Sequence, residues 1–366
     1  MKEVSILINE SILQRLQNTT TDIKKLLEQH QIPGCSICIS HEDEHIWSWY
    51  EGLADIENSI PVTKDTTFRI GSVTKPFTAM VMMKLREEGF IQLDEPIHTY
   101  EPLLSSIKSH LSEPIPLTFR MIASHISGLP KALDKAVHLR EMTLAQCIEI
   151  LTIFTPPWSI INYSSLGYSI LSKVLEKASH MPYRELVHTH ILKPLDLKQT
   201  GFIEAASTAK GYTVSSSGLS DVSYPSAETP SWEDGSSGLI STADDLIQFI
   251  QAQYGKNSLL HQHSLKEMQS PVMVEEDFSR GAGLSWFLRP FNGFTLAEHS
   301  GEIKGFTSYI GFISKKKLGV CILMNSDERL ARPIAEMLFQ ILLPADHEQM
   351  KKREDRLKRM FRQSSL

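Results

Sequence analysis

Apolar residues recur at two different periods along this chain, and the change of period divides it. Ile12, Leu16, Ile23, Leu26 and Leu27 stand at helical spacing within residues 11–30, with a break expected at the Thr19–Thr21 run. Two alternating segments follow, Gly34–Ser40 and Ile46–Gly52, the first rich in Ile and the second holding Trp47, Trp49 and Tyr50. They predict a β-hairpin. From Ser72 to about Phe249 the period is mostly helical, with helices expected over 73–88, 117–124, 143–152, 165–179, 183–190 and 242–254. Loops rich in Pro, Ser and Gly separate them, and the longest is Ser207–Gly238. A loop of that length in a compact domain is often functional. After Gly281 the period returns to strands, at 283–289, 294–299, 307–314 and 318–325, and a helix follows at about 327–343. Asn292-Gly293 joins the first two strands as a hairpin signal, and Lys315–Lys317 join the last two.

Strands at both ends with helices between them imply an α+β fold. One antiparallel sheet is built from N- and C-terminal strands, flanked by helices, with a mostly helical region inserted. The expected division is 1–68 plus 281–345 for the sheet region, 69–280 for the helical region and 346–366 for a basic tail. The tail, Met350 to Arg362, carries seven Lys/Arg around Leu357, Met360 and Phe361 and reads as a solvated helix end, with weak membrane-surface or partner contact as the alternative.

Composition narrows the class. The 366 residues are 41% apolar and 22% charged, with a net charge of −6, which disfavours a nucleic-acid binder. No apolar run reaches the roughly 18–20 residues of a membrane span, and the N-terminus lacks the pattern of a secretory signal, so a cytoplasmic protein is expected. Four cysteines are too few for a disulfide scaffold. Cys35 and Cys38 form a C-x-x-C, but three positions along a strand place them on opposite faces, as packed thiols. His41 to His45, "HEDEH", matches the H-E-x-x-H zinc pattern in letters. That chemistry needs both imidazoles on one helix face, whereas these residues lie in a polar turn between strands. "HTH" at His188 to His190 and "HQH" at His261 to His263 are weaker metal signals still. No metal or cofactor is expected.

The stretch "GSVTKPFTAMVMMKLREEG" places Ser72 three residues before Lys75, at the head of a helix that is apolar nearly all round. Pro76 is tolerated only in a first turn, so the helix starts near Ser72, and Gly89 stops it. Ser72 is placed to cap the helix. It also neighbours Lys75 on one face. Burial and the positive end of the helix dipole both disfavour an ammonium, so Lys75 is expected to have a lowered pKa and to accept the serine proton. The Ser72 amide at the helix end is available to an oxyanion.

Two later stretches add to this pair: Tyr163-Ser164-Ser165 just before a helical stripe, and His299-Ser300-Gly301 at a strand end. With S-x-x-K, these three motifs stand in the order S-x-x-K, Y-x-S, H-x-G. In this the chain resembles the serine β-lactamases of class C type, the D-alanyl-D-alanine peptidases among penicillin-binding proteins, and related esterases. The likeness spans roughly residues 25–345 and includes "SHISGLP" at Ser124–Pro130, "SSGLISTADDLIQF" at Ser236–Phe249 and "GFTSYIGF" at Gly305–Phe312. The resemblance implies an acylated nucleophile at Ser72, its activating partner at Lys75 and a proton shuttle at Tyr163, whose phenolate Lys75 would have to favour. Ser165, His299, Ser300, Gly301 and Glu302 then contact substrate, the Glu302 amide completing an oxyanion hole with that of Ser72.

Two departures bear on substrate. Ser165 stands where Asn is commoner, losing a two-way hydrogen-bonding partner. His299 replaces the Lys of K-T-G, so positive charge near a substrate carboxylate is missing or depends on pH. The class A deacylation motif E-x-x-L-N is absent. The expected activity is hydrolysis of a small ester, D-amino-acid peptide or β-lactam. A carboxylesterase or D-peptidase with little β-lactamase activity, and a non-catalytic penicillin-binding-like protein, are the alternatives. An α/β-hydrolase is excluded because G-x-S-x-G occurs nowhere.

Overall fold

A computed structural model describes residues 10–111, 116–131, 143–153, 155–215, 218–222, 233–255 and 257–344. The basic tail lies outside them. In chain order the first elements are α1 (Glu10–Gln29), β1 (Gly34–His41), β2 (Glu44–Asp55), β3 (Ile60–Pro61), β4 (Phe68–Arg69) and α2 (Thr74–Glu87). The middle holds β5 (Lys108–Ser109), α3 (Phe119–Ala123), α4 (Leu144–Ile150), β6 (Thr152–Ile153), α5 (Ser165–Ser179) and α6 (Tyr183–Val187), the last running into a π-helical turn to Leu192. Next come β7 (Gly211–Ser215), β8 (Gly218–Val222), α7 (Asp234–Ser237), β9 (Ile240–Ser241), α8 (Ala243–Gln251) and α9 (Gln262–Met268). The chain closes with β10 (Met273–Val274), β11 (Gly281–Ala282), β12 (Phe287–Phe291), β13 (Phe294–Ile303), β14 (Phe306–Ile313), β15 (Leu318–Met324) and α10 (Ala331–Leu342).

The main sheet has nine strands in the order β10-β11-β12-β13-β14-β15-β1-β2-β3. Its neighbours pair antiparallel, and the N-terminal β1 lies against the C-terminal β15 in the register Cys35↔Met324 to His41↔Leu318. Alternation sorts the side chains. Cys35, Ile37 and Ile39, with Val320 and Ile322, face a core closed by Leu16 and Ile23 of α1 and Leu338 and Phe339 of α10. Cys38, Cys321 and Leu323 face the opposite core with α2 and α8. A one-residue slip would exchange these faces, and each Leu or Ile so exposed costs about 1.5–3 kcal/mol. All four thiols are free and buried, and Cys35 and Cys38 occupy opposite faces.

Several expectations needed correction. Helix α1 runs unbroken through Thr19–Thr21, because Thr19 and Thr20 return their hydroxyls to the carbonyls of Arg15 and Gln17. The expected loop Ser207–Gly238 contains a hairpin, β7–β8, and the short helix α7. The strand read at 283–289 begins later: Leu284 and Ser285 turn back onto Met268 and Ala123, and pairing resumes at Phe287. "HEDEH" ends β1, turns and opens β2. No helix among the described residues is long and apolar enough to cross a membrane.

Candidate active site

Helix α2 buries almost every side chain of its first three turns, from Thr74 to Met83. Ser72 does not cap it. The serine lies in a 3-10 turn, Gly71–Val73, and the N-cap residue Val73 makes no side-chain cap bond. The Ser72 hydroxyl is 2.9 Å from Lys75 Nζ instead. Pro76 sits in the first turn, where its missing N–H costs no helical bond.

Lys75 is fully buried, and its second contact is the carbonyl of Ser236, at 2.9 Å. No carboxylate faces it among the described residues. Desolvation first, and the Lys131 ammonium second, hold its pKa well below the ordinary lysine value. A neutral amine donates one N–H to the Ser236 carbonyl, which only accepts, and keeps its lone pair for the Ser72 proton. Ser236 is set by its own network: its hydroxyl donates to the Glu233 carbonyl and accepts from Ser169, while Thr78 holds the neighbouring Gly235 carbonyl at 2.6 Å.

Tyr163 stands just before α5, whose N-cap Ser164 accepts from the Gly167 amide at 2.8 Å. Its ring is 5.0 Å from Lys75 Nζ. Burial pushes its phenol up to about 12, against the opposing pull of the Ser72 and Ser165 hydroxyls. Burial thus opposes the phenolate that the resemblance implies for Tyr163, and the lowered pKa of Lys75 weakens the positive charge that would favour it. Ser165 opens α5, and its amide donates to the Lys131 carbonyl at 2.9 Å.

The third motif runs along β13. His299 is buried, and Ser300 and Glu302 are exposed. Its Nδ1 lies 2.8 Å from the Ser300 carbonyl, so that nitrogen carries the proton and Nε2 bears an unpartnered lone pair. Desolvation, the largest cause, lowers its pKa to about 3. Burial therefore disfavours a positive charge on His299 near neutral pH. Gly301 abuts the turn that carries Ser72. A Cβ there would come within 2.0 Å of the Ile70 carbonyl oxygen and 2.2 Å of Ser308 Oγ. Gly71 adopts φ +50°, and a Cβ on it would touch the Glu302 backbone at 3.0–3.1 Å. Ser308 ties the two segments by donating to the Ile70 carbonyl at 2.7 Å.

These motifs line one cleft of ≈540 Å³ that holds Ser72, Tyr163, Ser165, His299, Ser300 and Glu302 on its walls. Lys75 lies beneath Ser72. Three arginines at the cleft are matched by acids: Arg329 with Glu302, Arg332 with Glu298, and Arg280 with Glu275. Lys131, at the Ser165 end, has no ion pair among the described residues.

Three contributors carried no assigned role in the sequence reading. The Ser236 carbonyl is main chain, so residue type gives no sign of it, although "SSGLISTADDLIQF" marks the place. His125, in "SHISGLP", has a left-handed backbone (φ 58°) and accepts from the Ser164 amide at 3.1 Å. Its ring packs 4.3 Å from that of Tyr163 and holds the phenol from behind. Phe287 completes the wall, 6.1 Å from Tyr163 and 5.8 Å from His299.

The chain matches the family model described as Beta-lactamase over residues 20–340. It is 32% identical over 296 residues to Beta-lactamase-like protein 4 of Dictyostelium discoideum, covering 72% of this chain and 51% of that protein. Protein flp of Staphylococcus aureus (strain MW2) is 26% identical, over 88% of this chain and 65% of its own length. The chain thus spans about half to two thirds of these relatives. Among solved structures, the octameric penicillin-binding protein homologue from Pyrococcus abyssi superposes with a TM-score of 0.81 at 26% identity, covering 92% of this chain and 79% of that one. A class C β-lactamase shares the fold at TM-score 0.75 and 19% identity, covering 92% and 97%. With the S-x-x-K, Y-x-S and H-x-G motifs gathered on one cleft and the family model spanning most of its length, the chain belongs to the Beta-lactamase family.

Proposed function

We propose that this cleft hydrolyses a small ester, amide or β-lactam through an acyl-enzyme on Ser72. The observation that carries the reading is the Ser72–Lys75 pair, 2.9 Å apart, with the amine buried away from every described carboxylate. Ser72 Oγ attacks the substrate carbonyl, and its proton passes to the lone pair of Lys75 Nζ. The oxyanion forms between the amides of Ser72 and Glu302. Tyr163 protonates the leaving amine or alkoxide, and the Lys75 ammonium restores the phenol's proton. In deacylation Lys75 and Tyr163 take the proton of an incoming water, and Ser72 leaves as the alcohol. His125 acts through Tyr163 as a positioning residue.

Substrate preference follows from the charges. A neutral His299 provides no cation for a carboxylate beside the third motif. This favours uncharged esters over substrates that place a carboxylate there, as β-lactams and peptides with a free C-terminus do. A D-peptidase reading draws support from the fold shared with D-alanine carboxypeptidase AmpC from Burkholderia cenocepacia, at TM-score 0.74 and 22% identity, covering 90% and 99%.

The test is kinetics with a short-chain nitrophenyl ester, a chromogenic cephalosporin and D-alanyl dipeptides, alongside intact-mass detection of the acyl adduct. Ser72→Ala is expected to abolish the adduct and to lower turnover at least about 10³-fold on the best substrate. Full turnover by that variant would remove Ser72 from the nucleophile's role.

A further inference from the structure

The "HQH" stretch, remote from the cleft, is folded against the far end of the helix that begins beside Ser72. His261 is the N-cap residue of α9, and its Nδ1 lies 3.2 Å from Glu87 Oε1, near the end of α2. The rings of His261 and His263 are parallel, 10° apart in plane, with centroids at 5.6 Å. One ligand atom from each of Glu87, His261 and His263 lies within 4.8 Å of the others. Bonds of about 2.0–2.2 Å to a tetrahedral cation need ligand atoms about 3.4 Å apart, a gap that rotation of two surface imidazoles closes.

The carboxylate is already oriented. The Glu87 side chain is only 7% exposed, and its Oε1 accepts from the His261 amide at 2.9 Å and from the Ser264 hydroxyl. Ser264 is fully buried and accepts in turn from Arg86 Nη2 at 2.8 Å. Such outer partners fix a metal-ligating carboxylate in natural sites. His261, by contrast, is 71% exposed, so an ion reaches the trio from solution.

We propose that Glu87, His261 and His263 bind a divalent 3d cation, with Zn²⁺ as the probe, leaving a fourth position to water. Two imidazoles and one carboxylate suit that class, whereas Ca²⁺ and Mg²⁺ require more oxygen ligands. The site lies about 20 Å along α2 from Ser72, so the ion fastens α2 to α9 and takes no part in the cleft's chemistry. The other trio of this kind, Cys38, His45 and Asp244, is already committed. Asp244 Oδ2 accepts the Tyr50 hydroxyl at 2.8 Å, and burial raises the Cys38 thiol well above its usual range.

The experiment is titration calorimetry of the untagged full chain with ZnCl₂ and with MgCl₂, paired with melting curves at each metal concentration. One Zn²⁺ is expected to bind and to raise the melting temperature in a concentration-dependent way, while Mg²⁺ does neither. His261→Ala and His263→Ala are each expected to weaken binding at least about tenfold and to melt like wild type without metal. His45→Ala is expected to bind as wild type does. Absence of Zn²⁺ binding at submillimolar concentration overturns the proposal. So does binding that survives both imidazole variants, or that is lost in His45→Ala, which would place the ion at Cys38 and Asp244.

Discussion

The two ends of α2 treat charge in opposite ways. At its start Lys75 is buried with no described carboxylate, its charge disfavoured by desolvation, and is bonded only to a hydroxyl and a carbonyl. At its end every charge has a partner. Arg86 bonds Glu267 at 2.7 Å, and Glu267 also takes Arg120 at 2.9 Å. Arg120 in turn grips both oxygens of Asp94, at 2.7 and 2.8 Å. A paired charge steadies the fold but is a poor base. An unpaired buried amine destabilises the fold yet is ready to take a proton at neutral pH. In the proposed mechanism the same helix therefore serves reactivity at one end and anchorage at the other.

Lys75→Met breaks this comparison most forcefully. It should lower kcat/KM on the best substrate by about 10²–10⁴-fold while leaving the melting temperature unchanged or raised, since a desolvated amine gives way to an apolar chain of similar length. A drop of several degrees, read by calorimetry, would mean that Lys75 is a structural residue and that the contrast is false.

The reverse pattern is expected from Glu267→Ala, which takes the acid from half-buried Arg86 and one of two acids from Arg120, which keeps Asp94. Denaturant unfolding should report a loss of about 1–3 kcal/mol, with kcat/KM within about twofold of wild type.

At neutral pH the smallest effect is that of His299, which acts only in acid. His299 has a folded pKa near 3, below its unfolded value of 6.5, so below pH 6.5 the unfolded chain binds a proton that the folded chain refuses. Its contribution to stability is whole above pH 6.5 and is lost as pH falls toward 3. His299→Asn should flatten the fall of unfolding free energy in that window by up to about 1.4 kcal/mol per pH unit. An unaltered slope would show that another group controls the acid limb.

Much of this arrangement was legible in the letters. The antiparallel sheet joined from both ends followed from alternation at Gly34–Ser40 and at 318–325, because burial on both faces of β1 and β15 leaves few other registers. The Ser72–Lys75 contact followed from three-residue spacing on a helix whose burial could be read from Phe77 to Met83. Other features were hidden for physical reasons. The Ser72 cap failed because its hydroxyl had a stronger claim from Lys75. The hairpin β7–β8 escaped because a polar, solvent-facing pair such as Leu219–Ser220–Asp221 shows no apolar period.

By itself, the sequence determined which residue types stand at which spacing: the buried α2, the strands' two faces, and three motifs in order. Periodicity is local, and burial reinforces it. Only the tertiary structure decided protonation and company. Whether His299 is charged, whether Tyr163 is a phenol, and whether His261 meets Glu87 all depend on desolvation and on neighbours distant in sequence, 174 positions apart for His261 and Glu87. Those quantities belong to the packed interior and to no segment of the chain alone.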